Sequence, residues 1–241
     1  MISDDLKNFC NGYDFDNVAP PQMPHIGDLA PEFNAITTNG AIKFPSDYAG
    51  KWVVLFSHPS DFTPVCTSEF IALQHAMTDF NKLNTMLLGL SIGSIPSHLA
   101  WIRAIKEIDG TDITFPVIAD ADATIANRYG MVSAASSDTN SVRAVFIIDP
   151  WAIVRAIIYY PPVLGRNIEE IKRVIMALQT ADAFKVAMPA NWNRGDDVLM
   201  PTPSSAAALR KVNTNAWFYR YKKLSRKDID ARLYTKKTGK K

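Results

Sequence analysis

The stretch WVVLFSHPSDFTPVCTSEF runs from Trp52 to Phe70, and its reading decides the rest. Trp52 to Phe56 is a short, continuous apolar run, the pattern of a central strand buried on both faces. A loop, HPSDFTP, follows. Apolar residues then recur at Phe70, Leu73, Met77, Phe80 and Leu83, which predicts a single amphipathic helix. Extended backwards, the same stripe reaches Cys66. A thiol thus stands where a buried strand gives way to a helix N-terminus.

Outward from this unit the alternation continues. Met86–Ile92 predicts a second buried strand. Pro96 suits the first turn of a helix whose apolar face is Leu99, Ile102, Ile105 and Ile108. Phe115–Ala119 is a short strand, and 123–129 a short helix ended by Gly130. After a polar loop come two apolar runs, 142–148 and 152–159, joined by Asp149-Pro150-Trp151 as a hairpin. Asn167 with Glu170 forms a cap and N3 pair before Ile168, Ile171, Ile175 and Leu178. The expected class is α/β, a mixed central sheet flanked by helices, with a small C-terminal extension. The expected divisions are a lead-in over 1–23, a main domain over 24–180 and an extension with a basic tail over 181–241.

With 241 residues, 47% hydrophobic and 21% charged, the chain is long enough to bury a core without a disulfide scaffold or structural metal. No stretch reads as a membrane span, and MISDDLKNFC lacks the apolar core of a signal peptide. Two cysteines, Cys10 and Cys66, fit a reducing cytoplasm better than an oxidised framework. The net charge of +2 hides an asymmetry. Residues 210–241 carry 12 Lys/Arg against 2 Asp/Glu, whereas the remainder carries 14 against 22. Because the tail contains Trp217, Phe218, Tyr219 and Tyr221, it is expected to pack on the acidic body of its own or a neighbouring subunit. Specific nucleic-acid binding is not expected.

A helix N-terminus offers unpaired N–H groups and a positive dipole end, both of which favour a thiolate at Cys66. Thr63 can hydrogen-bond the sulfur or an oxygen approaching it, and Pro59 and Pro64 stiffen the loop. On spacing alone, Cys66 reads equally as one more buried apolar position. A zinc site is not expected, since there is no C-x-x-C and no clustered histidine.

Pro59, Thr63 and Cys66 stand as P-x-x-x-T-x-x-C, which resembles the peroxidatic motif of the peroxiredoxins (AhpC/TSA family). The one-cysteine type and archaeal and bacterial members with a long C-terminal domain are the nearest in pattern. FPVIAD at 115–120, SVRAVFIIDP at 141–150, YYPPVLGRN at 159–167 and WNRGDDV at 192–198 extend the resemblance over roughly 24–205. It implies a thioredoxin fold and a thiol peroxidase acting on hydrogen peroxide and organic hydroperoxides, with no cofactor. Cys66 is implied to attack the O–O bond and become sulfenic acid. Thr63 would orient the peroxide, Arg143 would stabilise the thiolate and the departing oxygen, and Pro59 would shield the pocket. Arg166 would orient an acid near the thiol, with Glu69 the candidate, and His58 would line the pocket. His25, His75 and His98 receive no role. No cysteine follows Cys66, so an external reductant, thioredoxin-like or a low-molecular-weight thiol, is implied, with Cys10 the less favoured resolving thiol. The family also implies a homodimer and, in some members, rings of five dimers. A slow redox-sensing or chaperone-like oligomer is the alternative. The phospholipase activity of some relatives is not carried over, because AGKWVVLF lacks their serine. Gly93 stands where relatives often have Asp.

Overall fold

The computed structural model describes residues 23–132 and 141–234. The lead-in to residue 22, including Cys10, and the last residues of the tail lie outside them. β1 (Phe33–Thr37) and β2 (Gly40–Phe44) form a hairpin, followed by a short 3-10 turn at Ser46–Tyr48. Then come β3 (Trp52–Ser57), α1 (Pro64–His75), α2 (Met77–Lys82), β4 (Thr85–Ser91), α3 (Ile95–Asp109), β5 (Val117–Ala119) and α4 (Thr124–Arg128). β6 (Arg143–Ile148) and β7 (Val154–Tyr160) make the expected hairpin, and α5 (Ile168–Phe184) closes the main unit.

The sheet has seven strands in the order β2-β1-β5-β4-β3-β6-β7. β3, β4 and β5 run parallel, β6 runs antiparallel to β3, and β7 runs antiparallel to β6. Every residue of β3 is buried, as its unbroken apolar run requires. Side chains alternate across the sheet. Val54 and Phe56 face a core with Phe70, Leu73, Trp101, Ile105, Ile171 and Ile175 from α1, α3 and α5. Val53 and Leu55 face the other side, with Phe33, Phe44, Tyr129 and Phe146.

Three expectations are corrected. The helix expected from Cys66 to Leu83 is two, because Ala76 (φ −81°, ψ −3°) turns the chain between α1 and α2. The turn still lets Phe70, Leu73, Phe80 and Leu83 all reach the core. On α3 the inward face is His98, Trp101 and Ile105, while Leu99 and Ile108 are 47% and 75% exposed. The stripe is rotated by one residue because a histidine takes an inward position. β5 begins only at Val117, since Pro116 has no N–H to give a ladder. The β1–β2 hairpin is not anticipated in the sequence. Thr38 and Asn39 turn it, with Gly40 at φ 109° opening β2, and stacked Phe33 and Phe44 rings (4.9 Å) anchor it.

After α5 the chain forms a two-stranded sheet of β8 (Val198–Leu199) and β9 (Tyr221–Lys222), a short α6 (Ala206–Leu209), and α7 (Arg226–Leu233). Trp192, Val198, Leu224 and Ile229 bury together against Met176, Ala177 and Phe184 of α5. The Trp192 indole donates to Asp196 O (3.2 Å), and Arg194 pairs with Asp230 across this small core. The tail packs on its own body, as expected, through Leu224 and Ile229. Trp217, Phe218, Tyr219 and Tyr221 remain 39–63% exposed, touching one another edge-on. No helix among the described residues is long and apolar enough to cross a membrane.

Trp192→Ala should empty the centre of this small core at a cost of about 3–5 kcal/mol in urea unfolding. An unchanged midpoint would show that the extension contributes nothing to the cooperative unit.

Candidate active site

β3 delivers the chain to Ser57 and His58, and a tight loop then leads to α1. Phe62 takes the left-handed conformation (φ 56°), an unusual one for a bulky side chain. The turn leaves Phe62 61% exposed while Asp61 before it is buried. Thr63 is the N-cap residue and Pro64 the first helical residue, where its missing N–H costs nothing. Cys66 therefore stands in the first turn of α1, fully buried and unbridged.

Arg143, the first residue of β6, points its guanidinium at this thiol. Its Nη1 donates to Cys66 Sγ (3.2 Å) and to Glu69 Oε2 (2.7 Å), and its Nε donates to Pro162 O (2.9 Å). Glu69 lies one helical turn beyond Cys66. The same Oε2 accepts from Arg166 Nη1 (2.7 Å), and Oε1 accepts from the Arg166 backbone N–H (2.8 Å). Arg166 Nη2 donates to Ser57 O and to Ala144 O (3.2 Å), and its guanidinium lies 5.5 Å from the Phe56 ring centre. Burial, helped by the charge of Arg143, lowers the pKa of Arg166 to about 10 although Glu69 and Cys66 pull it up. At neutral pH it remains a cation. Cys66, Glu69, Arg143 and Arg166, separated by up to 100 positions in sequence, thus form one buried hydrogen-bonded cluster.

The other expected residues stand apart from this contact set. The Thr63 hydroxyl donates to Ser60 O (2.9 Å), which fixes it at the helix cap above Cys66. Pro59 is half-buried in the loop. His58 belongs to a second cluster. Its Nε2 meets Asp61 Oδ1 at 2.9 Å, and its ring packs on Phe70 and Trp101. On the far side of Asp61, His98 Nδ1 lies 2.8 Å from Oδ2, and the Ser97 hydroxyl donates to the same oxygen (2.6 Å). His98, which the sequence reading leaves without a role, is fully buried here. The expectation of no clustered histidine is overturned as well: His58, Asp61 and His98 are a group of three ligand-type side chains converging among the described residues. The spacing His98, Trp101, Ile105 was the available sign that His98 points inward. His25 is exposed beside Asp28, and the exposed His75 meets the Thr111 hydroxyl at 3.2 Å.

Burial pushes the His58 imidazole from 6.5 down to about 4, with His98 and Arg166 pushing the same way against the pull of Asp61. For Asp61 burial acts upward, but hydrogen bonds from His58, His98 and Ser97 outweigh it and hold the carboxyl well below its usual range.

The AhpC/TSA family model matches residues 26–157, and a second model, the C-terminal domain of 1-Cys peroxiredoxin, matches 177–214. A protein of Methanosarcina mazei named peroxiredoxin is 54% identical over 195 residues, covering 78% of this chain and 89% of that one. Among solved structures, a yeast mitochondrial 1-Cys peroxiredoxin, studied for thiol resolution via glutathione/thioredoxin systems, is 40% identical with a TM-score of 0.75. The match covers 84% of this chain and all of that one. Peroxiredoxin 6 of Arenicola marina is 34% identical over 83% of this chain and 97% of its own, with a TM-score of 0.74. The mixed sheet and flanking helices match the thioredoxin fold of these structures.

Two outcomes follow from the buried charges. Glu69→Gln leaves two buried guanidiniums without their counterion and should cost about 3–5 kcal/mol in chemical denaturation; a loss under about 1 kcal/mol would mean the cations are balanced elsewhere. Between pH 6.5 and about 4 the unfolded His58 binds a proton that the folded one refuses. Stability should therefore fall as pH drops through this window, by roughly 3 kcal/mol. In chelator-containing buffer, His58→Gln should flatten that slope, and an equal slope in both proteins would refute the assignment.

Proposed function

Since the chain belongs to the AhpC/TSA family of peroxiredoxins and is a thiol-dependent peroxidase, we propose that Cys66 is its peroxidatic thiol and that hydrogen peroxide and organic hydroperoxides are its substrates. The observation that carries this reading is the sharing of Arg143 Nη1 between Cys66 Sγ (3.2 Å) and Glu69 Oε2 (2.7 Å). One carboxylate and two guanidiniums leave the buried cluster one positive charge in excess. A thiolate cancels it. The first turn of α1 adds the positive end of the helix dipole. These groups stabilise an anionic sulfur during attack.

The thiolate attacks the nearer oxygen of the hydroperoxide. A sulfur–oxygen bond forms as the O–O bond breaks, the sulfur becomes sulfenic acid, and the departing oxygen takes up a proton to leave as water or alcohol. Arg143 stabilises the anionic sulfur and the charge moving onto the leaving oxygen. Thr63, at the cap of the helix that carries Cys66, orients the peroxide, and Pro59 limits water at the mouth. Glu69 positions Arg143, and Arg166 positions Glu69. His58 stands behind the loop, paired with Asp61.

The sulfenic acid is then reduced by an external thiol, of a thioredoxin-like protein or a small molecule, because no cysteine follows Cys66 in the sequence. The yeast relative's glutathione/thioredoxin systems support this class of reductant. Cys10 lies outside the described residues. Residues 24–180 act as the peroxidase domain and 181–241 as an extension. β7 is an edge strand of the sheet, which supports assembly as a homodimer, with rings of five dimers a further step. The cysteine usage supports a cytoplasmic setting.

Cys66→Ser should abolish peroxide consumption; retained turnover would overturn the assignment. Arg143→Leu should lower kcat/KM about 10²–10³-fold. Intact mass after one equivalent of peroxide tests the recycling step. Gain of oxygen on a monomeric chain supports an external reductant, and loss of two hydrogens makes Cys10 or a second Cys66 the resolving thiol.

A further inference from the structure

The cluster behind the loop has a chemistry that the peroxidase reading does not use. Parallel pairing of β3 with β4 sets the segments after them side by side. One carries His58 and Asp61, and the other leads into the first turn of α3 with His98. His58, Asp61 and His98 each present a ligand atom, all within 4.8 Å of one another, and all three residues are buried. Two imidazole nitrogens and a carboxylate oxygen are the donors of a three-ligand zinc site. They suit neither magnesium nor calcium, which take oxygens, nor copper(I), which takes sulfur.

Three further features fit an ion. A neutral imidazole carries its hydrogen on one nitrogen and a lone pair on the other. The outer nitrogens, His58 Nδ1 and His98 Nε2, have no hydrogen-bond partner among the described residues. No outside partner therefore holds either ring in the tautomer that donates to Asp61. Next, the Ser97 hydroxyl holds Asp61 Oδ2 (2.6 Å), the kind of outer contact that orients a ligating carboxylate. Finally, Gly93 roofs the cluster. A Cβ there would stand 2.6 Å from His98 Cε1 and 3.3 Å from Asp61 Oδ2. Gly93 and Ser97 are half-exposed and Ser94 is exposed, so solvent lies one residue away.

We propose that His58 Nε2, the Asp61 carboxylate and His98 Nδ1 bind one divalent transition ion of the zinc class, in place of the two hydrogens they otherwise share. The ion ties the loop that ends in Thr63 to α3. This site rests on none of the roles proposed for Cys66, and its test reads binding rather than turnover.

The test uses the full chain with Cys10→Ser and Cys66→Ser, so that no thiol contributes. Titration with Co2+ should give one equivalent per chain, a four-coordinate visible spectrum without thiolate charge transfer, and displacement by Zn2+. His98→Gln and Asp61→Asn should each weaken binding at least about tenfold, whereas His25→Gln and His75→Gln should not. Binding well below one equivalent, or equal binding in His98→Gln and Asp61→Asn, would overturn the proposal. Should those variants fail to fold, the imidazole resonances of the parent protein decide. Zn2+ should move those of His58 and His98 and spare His25 and His75; unmoved His58 and His98 signals would overturn it.

Discussion

One carboxylate oxygen, Glu69 Oε2, accepts from two buried guanidiniums at 2.7 Å each, Arg143 and Arg166. Charges removed from water are costly unless they are paired and their remaining hydrogens are satisfied. Here the pairing ties α1, the start of β6 and the segment before α5 to one point. Glu69 also keeps the two cations from repelling each other, and so keeps Arg143 beside the sulfur. The site is in this sense a charge lattice against which the thiol is held.

The sheet supplies the frame for that lattice. Arg166 rests against the Phe56 ring and donates to the carbonyls of Ser57 and Ala144, which belong to adjacent β3 and β6. It thus binds at the carboxyl end of β3, where the chain leaves the sheet. Antiparallel pairing of Phe56 with Val145 sets Arg143 beside that exit. The backbone register, rather than any single loop, fixes the distance between guanidinium and sulfur.

Much of this could be read in advance. Continuous apolar runs marked β3, β4 and β6, because burial on both faces leaves no room for polar alternation, and also β7, although most of that edge strand is only half-buried. Cys66 and Arg143 came from a motif whose chemistry demands an anion and a donor. What stayed hidden depended on contacts between distant segments. His98 looked like a polar interruption of α3 until Asp61, 37 positions earlier, gave it a partner. The β1–β2 hairpin was missed because each strand buries few residues and shows weak alternation. Ala76 carries no sequence mark of a turn, since alanine favours helix; packing of Phe80 and Leu83 on the sheet overrides that preference.

The wide spacing of the cluster also sets an order of events in the life of the chain. The bond from Arg143 to Cys66 spans 77 residues, and that from Arg166 to Glu69 spans 97. On a ribosome, the cysteine leaves the exit tunnel long before either arginine. The nascent helix then holds an ordinary thiol, with no cation against it and no buried carboxylate to organise one. The surroundings proposed to activate it exist only when β6 and the start of α5 have been made and have closed over α1. Contacts so distant in sequence form late, so the Cys66 thiol is without its cation through the period when the chain is least protected.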